Sequence, residues 1–204
     1  QFSHVLAAKL AEVYSLNYPS LKLINKILDK GQFYKLFTDK NIPIPPTEYL
    51  FNADQLKDRL QNNLSERRYF LKSDFSKNPR YVYAGSLSEL NAANINWTFD
   101  TFLRTCYVLQ PEMPGVPLRI NVYDSGWQIF NFASGQKINN PGEHLVEILK
   151  NLWNFSLEIG LGNWIVKFDI IYFNHDYVAL DIGIDPPSRM KMDFEVCGEN
   201  FEKK

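Results

Sequence analysis

Three aspartates near the end of the chain sit where aspartates are scarce. Ile165-Val-Lys-Phe-Asp-Ile-Ile-Tyr172 and Tyr177-Val-Ala-Leu-Asp-Ile-Gly-Ile-Asp-Pro-Pro187 are apolar, strand-like runs that carry Asp169, Asp181 and Asp185. Carboxylates in an apolar setting are costly unless a cation neutralises them. Asn174-His175-Asp176 supplies a turn between the runs. Pairing through that turn predicts that Asp169 and Asp181 point the same way and share one hard cation, which takes oxygen ligands. Asp185 follows on the same face by the period of two, at the mouth of a Pro-Pro loop.

The rest of the chain must position them. With 204 residues and 45% hydrophobic content, it can bury a sizeable core, as one large domain or two lobes. A formal net charge of −1, with 22 Lys and Arg scattered along the chain, gives no sign of a nucleic-acid or membrane partner. The apolar runs are strand-sized, too short to span a bilayer. Cys106 and Cys197 are far apart and outside any CxxC pattern, so a reducing compartment, the cytoplasm, is expected. The chain begins at Gln1 and reads as part of a longer protein.

Helical spacing predicts helices over Phe2 to Tyr14, from Pro19-Ser20 to Ile27, and over Lys30 to Lys40 with Asp29 as N-cap. Asn41-Ile-Pro-Ile-Pro-Pro46 stops the third. Thr47 to Phe51 reads as a strand, and Asn52 caps a helix to Asn62. Strands follow at Tyr69 to Lys72, Tyr81 to Tyr83 and Tyr107 to Gln110, with short helices over Ser86 to Ala93 and Phe99 to Arg104. Leu118 to Tyr123 and Trp127 to Phe132 form a hairpin. A long helix runs from Pro141, in its first turn, to about Ile159, and Gly160 and Gly162 end it. Mixed helices and hairpins indicate an α+β class. His4, His144 and His175 show no nearby partner in the sequence, and none is assigned to catalysis.

Four pieces then fall in order: Asp29-Lys30 leading to Asn41-Ile-Pro-Ile-Pro45; Phe70-Leu-Lys72; Val108-Leu-Gln-Pro-Glu-Met-Pro-Gly115 followed by Leu118-Arg119; and Asp169 with Asp181-Ile-Gly-Ile-Asp-Pro186. Together they resemble the ATP-grasp superfamily, most of all its peptide-bond-forming carboxylate–amine ligases, over roughly Asn25 to Pro187. The resemblance implies an ATP-grasp fold of two α+β lobes with nucleotide between them. Residues 1–28 would be a remnant or linker of an N-terminal lobe, 29–110 the small lobe and 111–204 the large C-terminal lobe. It also implies ATP and Mg2+ as cofactors, with carboxylate and amine substrates drawn from amino acids, peptides or protein tails. A partner chain or the missing N-terminal lobe would complete the substrate pocket.

By the same resemblance Lys30 and Lys72 hold phosphates, and the Gln110, Pro111, Glu112, Met113 stretch holds adenine, with Met113 on the ring. Arg119 stabilises the acyl phosphate, and Asp169, Asp181 and Asp185 bind metal. Two lysines on separate elements suit a triphosphate as point donors. The chain departs from the pattern in several places. Asp181 stands where the family usually has Glu, and Gly183 where it has a metal-binding Asn, so that either Asp185 compensates or a second metal is weakly held. The loop Ser73 to Arg80 has no glycine, so Lys77, Asn78 and Arg80 would cover the phosphates with side chains. Val116-Pro117 follows Gly115 where an acidic residue usually holds the ribose. These departures motivate two alternatives: a nucleotide- or partner-binding module with lost or reduced catalysis, and a kinase on the same fold.

Overall fold

Ser20 and Asp29 each start a helix by accepting a backbone N–H. Ser20 Oγ takes that of Leu23 at 3.2 Å, and Asp29 Oδ1 takes that of Gln32 at 3.0 Å. In the computed structural model, which describes residues 2–61, 67–73, 82–86, 89, 107–123, 126–185 and 199–200, these caps open α2 (Leu21–Leu28) and α3 (Lys30–Asp39). Helix α1 (Phe2–Tyr14) precedes them. Asp29 both ends α2 and caps α3, so the chain turns sharply there.

Strand β1 (Glu48–Leu50) follows the proline stretch, and α4 (Ala53–Gln61) begins after Asn52, whose Oδ1 accepts from the Gln55 amide at 2.8 Å. Strands β2 (Arg68–Ser73), β3 (Val82–Ser86) and β4 (Tyr107–Pro111) complete an antiparallel four-stranded sheet in the order β1-β4-β2-β3. Leu56 of α4 covers one face of it, against Leu50, Tyr69, Leu71, Tyr107 and Leu109. Ser86 and Glu89 bond reciprocally, the Ser86 amide to Glu89 Oε2 and the Glu89 amide to Ser86 Oγ, as a capping box does. The rest of the helix expected over Ser86 to Ala93, the one over Phe99 to Arg104, and the phosphate-covering Lys77, Asn78 and Arg80 lie outside the described residues.

A second antiparallel sheet, ordered β8-β7-β5-β6-β9, holds β5 (Val116–Tyr123), β6 (Gly126–Asn131), β7 (Ile165–Phe173), β8 (Asp176–Asp185) and β9 (Glu199–Asn200). One face of it, through Ile120, Phe168 and Ile182, packs in the main core with α3 and with α5 (Glu143–Glu158). Phe37 of α3 meets Phe155 of α5 with ring centroids 5.1 Å apart and Phe168 of β7 at 6.3 Å. Helix α5 starts later than the sequence indicated. Gly142 is its N-cap, so Pro141 precedes the helix instead of occupying its first turn. Gly160 ends it with φ +81, the left-handed conformation glycine adopts freely. No helix among the described residues is long and apolar enough to cross a membrane.

The chain crosses from the first sheet to the second at Gly115. Its φ is +138, and a β-carbon there would lie 2.5 Å from the Tyr172 carbonyl oxygen and 2.7 Å from Ile171 Cγ2. Both the backbone and the space demand glycine. Gly115→Ala is expected to cost about 2–4 kcal/mol of stability, measured by urea unfolding. A loss of under about 0.5 kcal/mol, the usual range for a surface substitution, would show that the crossing is not tightly packed.

Candidate functional site

The turn between β7 and β8 is two residues long. Asn174 and His175 both take positive φ, +46 and +67, the signature of the primed turn that matches strand twist. Continued without interruption, that register would set Asp169 opposite Leu180 and turn Asp181 into the core beside Phe168. The structure does otherwise. The register shifts between Asp169 and Ile170, so that Ile170 faces Ala179 while Asp169 faces Asp181. Leu180 is the extra residue of a bulge, and the bulge reverses the alternation beyond it. Ile182 and Ile184 go to the core, while Asp181 and Gly183 share the open face with Asp169.

Two carboxylates side by side repel unless cations intervene. Arg119, opposite Asp169 on β5, forks onto it, with Nε to Oδ1 at 2.8 Å and Nη2 to Oδ2 at 2.9 Å. Its guanidinium also lies over the Phe132 ring, 4.6 Å from the centroid. Lys30, the first residue of α3, donates to Asp181 Oδ1 at 2.8 Å. The result is a line of alternating charge, Lys30–Asp181–Asp169–Arg119, across three strands and a helix start. Arg119, Asp169 and Asp181 line a cavity of about 340 Å³ together with His4, Lys167, Ile182, Gly183 and Ile184.

Lys72 reaches the same neighbourhood from the first sheet. It donates to Gln110 Oε1 at 2.9 Å, which also accepts from the Tyr34 hydroxyl at 3.0 Å, while Gln110 Nε2 donates to Thr47 Oγ1 at 2.9 Å. Tyr34 lies 3.0 Å from the Leu180 carbonyl as well, so one hydroxyl proton serves both sheets. Burial pushes the Lys72 ammonium down to about 8 from its ordinary 10.5; the Lys30 charge adds to the fall, and Asp181 and Asp169 offset part of it. The two lysines expected to hold phosphates are therefore close enough to repel.

The other expected positions divide. The Gln110 side chain is buried and committed to Lys72, Tyr34 and Thr47. Pro111 has no N–H, and the Glu112 amide is bonded to the Arg68 carbonyl at 2.8 Å. Met113 is half-buried beside the crossing. Asp185 ends β8 opposite Ile165, and its side chain lies outside what the structure describes. Among the described residues, no three His, Cys, Asp or Glu side chains gather as a metal site. The histidines do have partners: His4 Nδ1 is 2.7 Å from the Tyr18 hydroxyl, and the His144 and His175 rings lie 4.4 Å apart.

No protein-family model and no curated protein sequence matches the chain. Solved structures do. A D-alanine–D-alanine ligase from Helicobacter pylori superposes with a TM-score of 0.68 at 13% identity, covering 89% of this chain and 62% of its own. A RimK domain ATP-grasp protein from Sphaerobacter thermophilus gives 0.66 at 13% identity, covering 93% and 74%. A D-alanine–D-alanine ligase from Bacillus anthracis, solved with ATP, gives 0.61 at 12% identity, covering 87% and 62%. The chain has the ATP-grasp fold. It spans 62% of the length of either D-alanine–D-alanine ligase.

Sequence reading missed His4 and Lys167, which also line this cavity. Lys167 lies two positions before Asp169 on the same face, and by alternation alone its place was readable. A lone lysine in a strand is ordinarily solvated, so nothing drew attention to it.

The Lys72 shift sets a pH dependence. From about pH 8 to 10.5 the unfolded chain binds more protons at Lys72 than the folded one, so this residue's contribution to stability rises with pH across that window. Lys72→Met removes it. Urea unfolding at about pH 7.5 and about pH 9.5 should show the wild type gaining on the variant at the higher pH. A constant gap would mean that Lys72 keeps an ordinary affinity for its proton.

Proposed function

We propose that this chain is the ATP-binding and catalytic part of a ligase that joins a carboxylate to an amine through an acyl phosphate. The observation that carries the proposal is the alternating line Lys30–Asp181–Asp169–Arg119, with Lys72 within electrostatic reach from the other sheet. Each charge already has an opposite neighbour. A triphosphate bearing a divalent ion offers the same pairing in exchange: phosphate oxygens for the cations, metal for the carboxylates. The fold likeness to D-alanine–D-alanine ligases, one solved with ATP, supports the reading.

Asp169 and Asp181 would hold magnesium, since both line one cavity from adjacent strands and this ion favours a few carboxylates plus phosphate oxygens. When bound, the ion neutralises phosphate charge. Lys30 and Lys72 hold phosphates. With Pro111 and Glu112 unable to donate, the Met113 amide is left to donate to the adenine edge, and the Met113 thioether packs on the ring. The substrate carboxylate oxygen attacks the γ-phosphorus; the new O–P bond forms as the bond to the ADP oxygen breaks. An uncharged amine then attacks the acyl carbon, the C–N bond forms, phosphate leaves with the C–O electrons, and the nitrogen releases a proton to solvent. The Arg119 guanidinium, which pairs with Asp169 in the absence of ligand, would stabilise charge on the transferred phosphoryl group. No side-chain nucleophile is required; positioning and electrostatics supply the acceleration.

The test is a thermal-shift series with ATP, with and without Mg2+, followed by phosphate release in a pool of amino acids and short peptides. ATP with Mg2+ should raise Tm, and phosphate release should need both a carboxylate and an amine. Asp169→Asn should lower that release about 100-fold or more. Nucleotide binding without turnover would favour the binding module, and release sustained by a hydroxyl acceptor would favour the kinase. No shift with any purine nucleotide would overturn the proposal.

A further inference from the structure

Gly183 is a glycine without a conformational reason. Its φ is not in the left-handed range, and among the described residues a β-carbon there would meet only Lys167 Cβ, at an ordinary 3.9 Å. An Asn or Asp would fit. What glycine does is leave no oxygen at that place. It stands two residues beyond Asp181 on the cavity face and directly across from Lys167. Any metal ligand at 183 would sit beside the Lys167 stem, and a carboxylate there would pair with the ammonium instead of a metal.

The other flank of Lys167 makes the same point. Its register partner on β5 is Asn121, buried, whose Oδ1 has no hydrogen-bond partner. A lysine turned that way would satisfy this oxygen at little cost. Lys167 instead lines the cavity. On the cavity wall Arg119 and Lys167 stand with two carboxylates, Asp169 and Asp181, and Lys30 joins them through Asp181. Two carboxylates suffice for one divalent ion that also takes phosphate oxygens. Among the described side chains, a second ion would find a lysine and a glycine beside Asp181 in place of further oxygen ligands.

We propose that Lys167 takes the place of a second divalent ion: the site engages a nucleoside triphosphate with one metal, held by Asp169 and Asp181, and the Lys167 ammonium opposite Gly183 neutralises the remaining phosphate charge. This rests on the functional reading above. A fixed ammonium serves a phosphate as a point charge, as a lysine does in many phosphate sites.

The experiment is a Mn2+ titration followed by electron paramagnetic resonance, on the full chain with a non-hydrolysable ATP analogue, with the analogue-free protein as baseline. One analogue-dependent Mn2+ per chain is expected. Lys167→Met should weaken analogue binding about 10-fold or more, with Lys167→Arg staying near wild type. The double variant Lys167→Met with Gly183→Asp should recover binding and take up a second Mn2+. Two Mn2+ in the wild type, or unchanged affinity in a folded Lys167→Met, would overturn this inference and leave the ligase reading standing. Failure of the analogue to bind at any metal concentration would overturn both.

Discussion

The site depends on one inserted residue. Leu180 is the bulge that lets Asp181 leave the core and face Asp169. On the turn side of it, Ala179 faces the interior with Ile170; beyond it, Ile182 does so with Phe168. A strand of fixed alternation cannot present apolar residues inward at both 179 and 182. The bulge resolves that conflict, and it exposes a carbonyl that needs a donor. Tyr34, fully buried, supplies the hydroxyl, and the same low-dielectric setting with Asp181 nearby keeps that hydroxyl protonated. An outward-facing carboxylate and a satisfied core are thus produced by the same irregularity.

Charge balance explains why this arrangement is stable before any ligand arrives. Asp169 and Asp181 on adjacent strands bring two negative charges together. Arg119 spans one carboxylate with two hydrogen bonds, and its guanidinium lies over the Phe132 ring. Lys30 is held at the other end with a side chain only 12% exposed, while its partner Asp181 is 39% exposed. The cation is thus the anchored member and the carboxylate the one that meets solvent. A ligand bound at such a site would trade partners within a set that the fold already orients, so much of the ordering cost is met by the fold.

The order of the elements was legible because each helix carries its own signal: Ser20, Asp29 and Asn52 are side-chain caps that the sequence displays. The turn at Asn174-His175 was legible for the same local reason. The facing of Asp169 and Asp181 was expected on a simple alternation that is wrong in detail; an unbroken two-residue hairpin would have separated them. Nothing in Val178-Ala-Leu-Asp181 announces a bulge, since its cause is the demand of a distant core and a distant tyrosine. Pro141 misled in the opposite way. It is a good first-turn residue, but Gly142 after it adopts the extended cap conformation, and the helix waits. The partners of Lys72 and of the histidines were unreadable because each lies across a gap that only the fold closes.

The deepest of those long-range dependencies runs through α3. Lys30 and Tyr34 are four residues apart and so share one helix face. They meet consecutive groups of β8: Tyr34 the carbonyl of Leu180, Lys30 the carboxylate of Asp181. Asp29 caps the helix immediately before Lys30 and thereby sets the rotation of both. A helix start near the beginning of the chain therefore fixes the charge and shape of a bulge some 151 residues later. Tyr34 also holds Gln110, which holds Lys72, so the first sheet takes its position from the same helical turn. Lys30, Lys72, Asp169 and Asp181 are not separate motifs brought together by chance. One capped helix spaces them all.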